Sequence, residues 1–409
     1  MTIPLSRPEI GALEVEYVSR VLRSGSLSLG PKVSEFEDKF AEYAGTRYAI
    51  AVTSGTSALH LCVKALGIGP EDEAVTTSFS FVASANCLLY EGALPVFADI
   101  DAETLNLDPE RIRDVITTDY LWDRTRDSLI HRESGRALKA ILPVHIFGLP
   151  CDMASILEIA DEFNLYVLED ACEALGSCYR GQRVGTFGDA AAFGFYPNKQ
   201  LTTAEGGMIV TNDEQIAASC RSLRNQGRDS EASWLRHIAL GYNYRLSDLH
   251  AALGLAQLER IEELLTSRER LAREYFRALS NVPGIVLPRE STDCSRSWFA
   301  YVIQTAGPLA AAKRNGLMAG LHARDIACQA YFPPIHRQPY FREIQLSRTP
   351  SLPLTDMAAE RCLALPFFPA MTSAQIGEVS AAVRELLSAD LAPAEPQQKY
   401  FSASAGSGL

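Results

Sequence analysis

The sequence predicts an α/β protein: a large domain with a mainly parallel sheet, followed by a smaller α+β C-terminal domain. Three observations lead there. From about residue 45 to 215, short apolar runs alternate with segments of helical periodicity, which is the pattern of βαβ units. From 247 to 279, apolar residues recur at helical spacing, marking a long linking helix. Beyond 285, strand-like and helical stretches mix again, as a second, smaller unit would.

The elements follow in order. Residues 48–53 read as a strand and 57–66 as a helix. Residues 74–77 are the next strand, 81–92 the next helix, and 95–99 and 140–145 further strands. A helix over 153–163 precedes a short buried strand at 165–169, which Asp170 closes. Residues 117–138 are polar and charged, with Ser134-Gly135 as a turn signal, and read as an inserted surface hairpin containing Trp122. Ser247 followed by Asp248 is an N-cap, and Leu249, Leu253, Leu255, Leu258 and Ile261 give 247–265 an apolar face. The helix continues through 268–279 until Asn281-Val-Pro-Gly284 stops it, and 298–304 is strand-like. The expected domains are 1–245, with an N-terminal helical arm, and 246–389. Residues 390–409, rich in Pro, Ser and Gly, are expected to be disordered.

Composition narrows the function. The chain has 409 residues, long enough to bury a large core without disulfides or metal. Its 38 basic and 50 acidic residues give a charge of −12, which argues against a general nucleic-acid binder. Nine scattered cysteines without a C-x-x-C pair read as reduced thiols, and the histidines show no zinc-ligand spacing. The first residues lack a basic segment followed by an apolar one, and no apolar run is long enough for a bilayer span. A cytoplasmic protein that touches no membrane is expected.

The chemistry concentrates in three places. Taken alone, Lys199 in the run Tyr196-Pro-Asn-Lys199-Gln-Leu reads as a surface-loop lysine. Asp170, however, ends a strand where an α/β fold places its ligand edge. Ser54-Gly-Thr-Ser57 lies between a strand and a helix, where helix N–H groups are free to cradle a phosphate. An amine, a carboxylate and a phosphate cradle together form a pyridoxal phosphate (PLP) constellation.

On these and further motifs the chain resembles the DegT/DnrJ/EryC1/StrS family of PLP-dependent nucleotide-sugar aminotransferases. The resemblance runs from Leu5-Ser-Arg-Pro8 to about Leu387. It is carried by Ser24-Gly-Ser-Leu-Ser-Leu-Gly-Pro31, Thr53-Ser-Gly-Thr-Ser-Ala-Leu59, Ser78-Phe-Ser-Phe-Val-Ala-Ser-Ala-Asn86 and Leu168-Glu-Asp-Ala-Cys-Glu173. Tyr196 to Gly207, Gly241-Tyr-Asn-Tyr-Arg-Leu-Ser-Asp248 and Tyr331-Phe-Pro-Pro-Ile-His336 complete it. The resemblance implies fold type I, with a sheet of the seven-stranded type.

It also implies roles. Lys199 matches the Schiff-base lysine and proton carrier, and Asp170 the partner of the pyridinium nitrogen. Phe81 matches the aromatic residue stacked on the cofactor ring; Gly55, Thr56 and Ser57 match the phosphate cradle. Asn243 matches a residue that reaches the phosphate from the neighbouring subunit, which implies a homodimer with shared sites. Gly194 stands where the family often has a phosphate-binding Ser. Glu173 stands where many members have Gln or His, and is similar to the group that includes the GDP-perosamine synthases. His336 is a candidate contact for the sugar nucleotide, and Arg228 and Arg245 lie in segments that approach the partner's site. The implied reaction moves an amino group from L-glutamate to a keto group, C4 before C3, of a nucleotide-linked deoxy sugar by a ping-pong route. A PLP-dependent sugar dehydratase of the same family would carry His in place of Lys199, and a non-catalytic regulatory homologue would have lost Lys199 or Asp170.

Overall fold

A computed structural model describes residues 2–229, 236–348 and 350–388; the expected tail, 390–409, lies outside the described residues. In chain order the strands of the central sheet are β1 (Tyr48–Val52), β2 (Asp72–Thr77), β3 (Leu94–Ala98), β4 (Tyr120–Asp123), β5 (Ser128–His131), β6 (Ala137–Leu142) and β7 (Tyr166–Asp170). After the short β8 (Cys178–Tyr179) and β9 (Gln182–Arg183) come β10 (Ala190–Gly194) and β11 (Gly207–Thr211). The main path runs β1-β11-β10-β7-β6-β2-β3. The pairs β10·β7, β7·β6, β6·β2 and β2·β3 are parallel, whereas β11 is antiparallel to both its neighbours. The mainly parallel sheet expected from the βαβ rhythm is therefore present.

Side-chain alternation builds a core on each face. Ile50, Leu168, Ala190, Ala192 and Ile209 pack with α3 (Gly55–Ala65), α4 (Ala83–Leu89) and α7 (Glu214–Arg224). Their neighbours Ala49, Ala191, Phe193 and Val210 face Phe36 and Phe40 of α2 (Pro31–Ala44) and Leu255 and Leu258 of α8 (Asp248–Glu259). Farther along that face, Val75, Ile141 and Val167 pack against α5 (Pro109–Asp119) and α6 (Met153–Phe163). α1 (Ala12–Ser24) lies against α8.

Three boundaries differ from expectation. The helix expected at 57–66 starts at Gly55, because Ser54 caps it with a side chain that accepts from Ser57 N–H. The run 247–279 is two helices: α8, capped by Ser247, and α9 (Ile261–Leu279). They break at Arg260 (ψ 9°), whose guanidinium is held by Glu9, Glu14 and Glu263. The 117–138 excursion is the end of α5, the β4–β5 hairpin turning at 124–127, and a second turn at the expected Ser134-Gly135 that leads antiparallel into β6. β5 pairs with Ala137 and Leu138 at the start of β6, so the hairpin sits at the opposite edge from Asp170.

The second unit has a small sheet from β12 (Ile285–Val286), β14 (Tyr301–Thr305) and β15 (Cys362–Leu365), while β13 (Cys294–Ser295) joins β8. The sheet packs with α9, α10 (Ala310–His322) and α12 (Ser373–Ser388) through Leu271, Tyr275, Leu317, Leu321, Val379 and Val383. α11 (Pro353–Arg361) leads into β15. The chain start joins this unit: Ile3 N–H donates to Asp325 O at 2.9 Å. Among the described residues no helix is long and apolar enough to cross a membrane.

Candidate active site

The site forms at the carboxyl edge of the parallel strands. Asp170, last in β7, shares a strand face with Leu168, so it points toward α3 and α4 rather than with Glu169 into the other core. There it is buried, and both oxygens are held as acceptors: Oδ2 from Ser84 Oγ–H at 2.7 Å, and Oδ1 from Cys172 N–H at 3.1 Å. Ser84 belongs to α4, so the carboxylate is fixed by a helix from the far side of β2.

Lys199 lies in the turn after β10, with its N–H on Tyr196 O at 2.9 Å. Its Nζ sits 3.9 Å from the centroid of the Phe299 ring and 3.6 Å from Glu173 Oε1. The other Glu173 oxygen accepts from Phe147 N–H at 2.9 Å. Burial pushes the Glu173 pKa up, against the opposing pull of Lys199, and the charge of Asp170 adds to the rise.

A raised acid in the folded chain keeps its proton where the unfolded chain has lost it. Its stabilising effect is therefore full below the ordinary carboxyl range and is lost as pH rises through that range toward the raised value. Glu173→Gln removes this slope and still offers an acceptor to Phe147 N–H. The melting temperature of the variant relative to wild type should thus climb as pH rises upward from the ordinary carboxyl range, about 4. A difference that stays flat across that range would show that Glu173 titrates as if in water.

The helix N-terminus of α3 takes the expected place, but Ser57 is turned inward. Its N–H donates to Ser54 Oγ at 3.0 Å, while its Oγ accepts from Ser54 N–H at 2.9 Å and donates to Ser54 O at 2.8 Å. Gly55 and Thr56, in the first turn, retain the free N–H groups that suit an anion. A Cβ on Gly55 would come within 2.7 Å of Cys172 Sγ and 3.2 Å of Gly194 Cα, so a larger residue in this strand-to-helix turn would force Cys172 and the Gly194 backbone to shift. Gly194 is not space-limited in the same way, because a Cβ there would meet Cys172 at an ordinary 3.5 Å.

Phe81 follows β2, leaves 60% of its surface exposed and stands three residues before the Ser84 that holds Asp170. Asn243 is exposed and pairs by backbone with Asn225. Its neighbours Tyr242 and Tyr244 are pinned from within: Tyr242 OH bonds Glu91 at 2.5 Å, and Tyr244 OH lies 3.2 Å from His60 Nδ1. His336 is engaged at both ring nitrogens, with Nδ1 2.7 Å from Ser78 Oγ and Nε2 3.4 Å from Asp356 Oδ1. Burial lowers its pKa, so it is held as a neutral ring that ties the second unit to the end of β2. Arg245 bonds Asn225 Oδ1 at 3.0 Å and Gln226 Oε1 at 2.8 Å.

Sequence reasoning overlooked Ser84, Phe147 and Phe299. Ser84 had a signal, since it falls three residues after Phe81 in a motif already singled out. Phe147 acts through its backbone, and Phe299 comes from the second unit, so neither carried one.

The donor set fits a pyridoxal phosphate: a lysine amine, an acceptor-only carboxylate, two helix N–H groups beside a glycine contact, and an uncovered aromatic face. Fold and site together define an aminotransferase of the PLP-dependent type. The model of the DegT/DnrJ/EryC1/StrS aminotransferase family matches residues 8–384, and the chain belongs to that family. It is 38% identical over 396 residues to the spore coat polysaccharide biosynthesis protein SpsC of Bacillus subtilis, covering 94% of this chain and 97% of that one. It is 38% identical over 387 residues to the GDP-perosamine synthase of Caulobacter vibrioides, covering 94% and 98%. The crystal structure of S. venezuelae DesV in complex with a ketimine intermediate superposes with a TM-score of 0.84 at 33% identity, covering 95% and 99% of the two chains.

Proposed function

We propose that the protein transfers an amino group from L-glutamate to a keto group, C4 first, of a nucleotide-linked deoxy sugar, with pyridoxal phosphate as cofactor and by a ping-pong route. The observation that carries this reading is Lys199 Nζ held 3.6 Å from the buried carboxyl of Glu173, three residues beyond the buried Asp170 that closes β7. When bound, the cofactor supplies an aldehyde carbon for amines and a ring that accepts electrons. The chain's own residues do the rest. Lys199 Nζ receives and returns the proton taken from the substrate carbon, with Phe299 beneath it and Glu173 beside it. Asp170, fixed by Ser84 and Cys172, would be the carboxylate partner of the ring nitrogen. Gly55 and Thr56 N–H groups would hold the phosphate, and Phe81 would supply an aromatic face to the ring. The preference for C4 rests on Glu173, which is shared in pattern with the group that includes the GDP-perosamine synthases.

The test is amination of a panel of 3-keto and 4-keto nucleotide sugars with glutamate as donor, read by mass and NMR. Amination of some other carbonyl compound and of none of these would overturn the substrate class. The exposed Asn243 is assigned to the partner's phosphate site in a homodimer. Mixing Lys199→Ala with Asn243→Ala subunits should then restore up to about a quarter of wild-type activity, the share of sites with both intact residues under random pairing. Mixtures no better than either parent would place both residues in one subunit's site.

A further inference from the structure

We propose that Arg268 is the positioning residue for Lys199: its guanidinium clamps the backbone that carries the lysine to the backbone that carries the ring beneath it. Arg268 stands near the middle of α9 and is 2% exposed. Its two terminal nitrogens each span two carbonyls. Nη2 donates to Asn198 O at 3.3 Å and Lys199 O at 2.9 Å, and Nη1 donates to Trp298 O and Phe299 O, each at 3.1 Å. A second tie joins the same segments, since Gln200 Nε2 reaches Ser297 Oγ at 2.8 Å.

A buried cation is costly unless it is hydrogen-bonded, and here the two terminal nitrogens are set against four carbonyl dipoles while Nε has no partner; the Phe367 ring centroid lies 5.7 Å from the guanidinium centre. Only a planar fork can address two parallel pairs of oxygens; a lysine ammonium carries three donors in a tetrahedral spread. The clamp fixes the main chain at both ends of the contact between Lys199 Nζ and Phe299. It touches neither cofactor nor substrate, so its effect must pass through Lys199. The role rests on Lys199 being the reactive amine, as proposed above.

The test compares wild type, Arg268→Lys, Arg268→Met and Phe299→Leu. The first readout is made on protein freed of pyridoxal phosphate: the rate at which an amine-reactive acetyl ester labels Lys199, followed by peptide mass spectrometry. Each variant should change that rate several-fold while circular dichroism stays that of the folded protein. In the loaded enzyme, kcat should fall by roughly tenfold or more with both KM values little changed, as expected for a reacting group displaced by a fraction of an ångström. A folded Arg268 variant with a lower melting temperature but unaltered Lys199 labelling would overturn the proposal, leaving Arg268 as fold support alone. If neither Arg268 variant folds, Arg268→Gln, which keeps one amide donor group in place of the fork, is read in the same way, and unaltered Lys199 labelling in it would overturn the proposal equally. Because labelling needs no cofactor, failure of the protein to take up pyridoxal phosphate would sink the functional reading without deciding this one.

Discussion

Lys199→Ala is expected to lower turnover by roughly 10⁴-fold or more and to abolish the visible absorbance band that forms when pyridoxal phosphate is added to the wild type. General acid–base catalysis alone contributes about 10²–10⁴-fold, and in the proposed reaction the same amine would also bond the cofactor's aldehyde carbon. No neighbour can substitute. Glu173, 3.6 Å away, is a carboxyl whose pKa burial has raised, and Phe299 offers only a ring face. Turnover within tenfold of wild type, or a persisting band, would remove Lys199 from the chemistry.

The same variant makes a stability prediction. Removing one partner of a buried pair costs about 3–5 kcal/mol when the other stays charged. Glu173 can avoid that cost by taking up a proton, which its environment already favours. The melting temperature of Lys199→Ala should therefore fall little at acidic pH and more as pH rises. Adding Glu173→Gln should recover most of the loss. If the double variant melts no higher than the single one at alkaline pH, Glu173 is not the group left uncompensated.

The large sheet was legible because its evidence is local. Each strand is a short apolar run next to a helical run, and alternation of Ala191 and Ala192 between two cores follows from a period of two. The ends of elements were legible only where the partner is close in sequence. Ser247 caps α8 as expected, since an N-cap bonds three residues ahead. The break at Arg260 was not, because two of its three carboxylates, Glu9 and Glu14, lie some 250 positions earlier.

The site divides along the same line. Lys199, Asp170, Phe81 and Gly55 stand in motifs whose chemistry can be read in place. What holds them does not: Ser84 comes from another helix, Phe299 and Arg268 from the second unit. Ser57 shows the converse, because the expected cradle counted it with Gly55 and Thr56, and its N–H is taken by the Ser54 cap. His336 is likewise held at Nδ1, by Ser78 Oγ at 2.7 Å.

Asp170→Asn separates the charge of this residue from its shape. The Asn carbonyl oxygen can take the place of Oδ1 and accept from Cys172 N–H. Its amide nitrogen then faces Ser84 Oγ, which must accept instead of donate. Ser84 is free to do so, since Ser80 Oγ lies 2.9 Å away and can take the serine proton. The hydrogen-bond pattern therefore survives inversion, and the fold should lose only about 1 kcal/mol, the difference between charged and neutral bonds. Activity should fall by roughly 10²–10³-fold, the scale seen when one preorganised electrostatic group is lost from an active site. An amide can bond the ring nitrogen but cannot supply the negative charge that keeps it protonated. The measurement is kcat/KM beside thermal melts. A large loss of stability with near-normal activity in the folded fraction would make Asp170 an anchor of β7 to α4 and nothing more; retained stability with lost turnover would assign the charge to the chemistry.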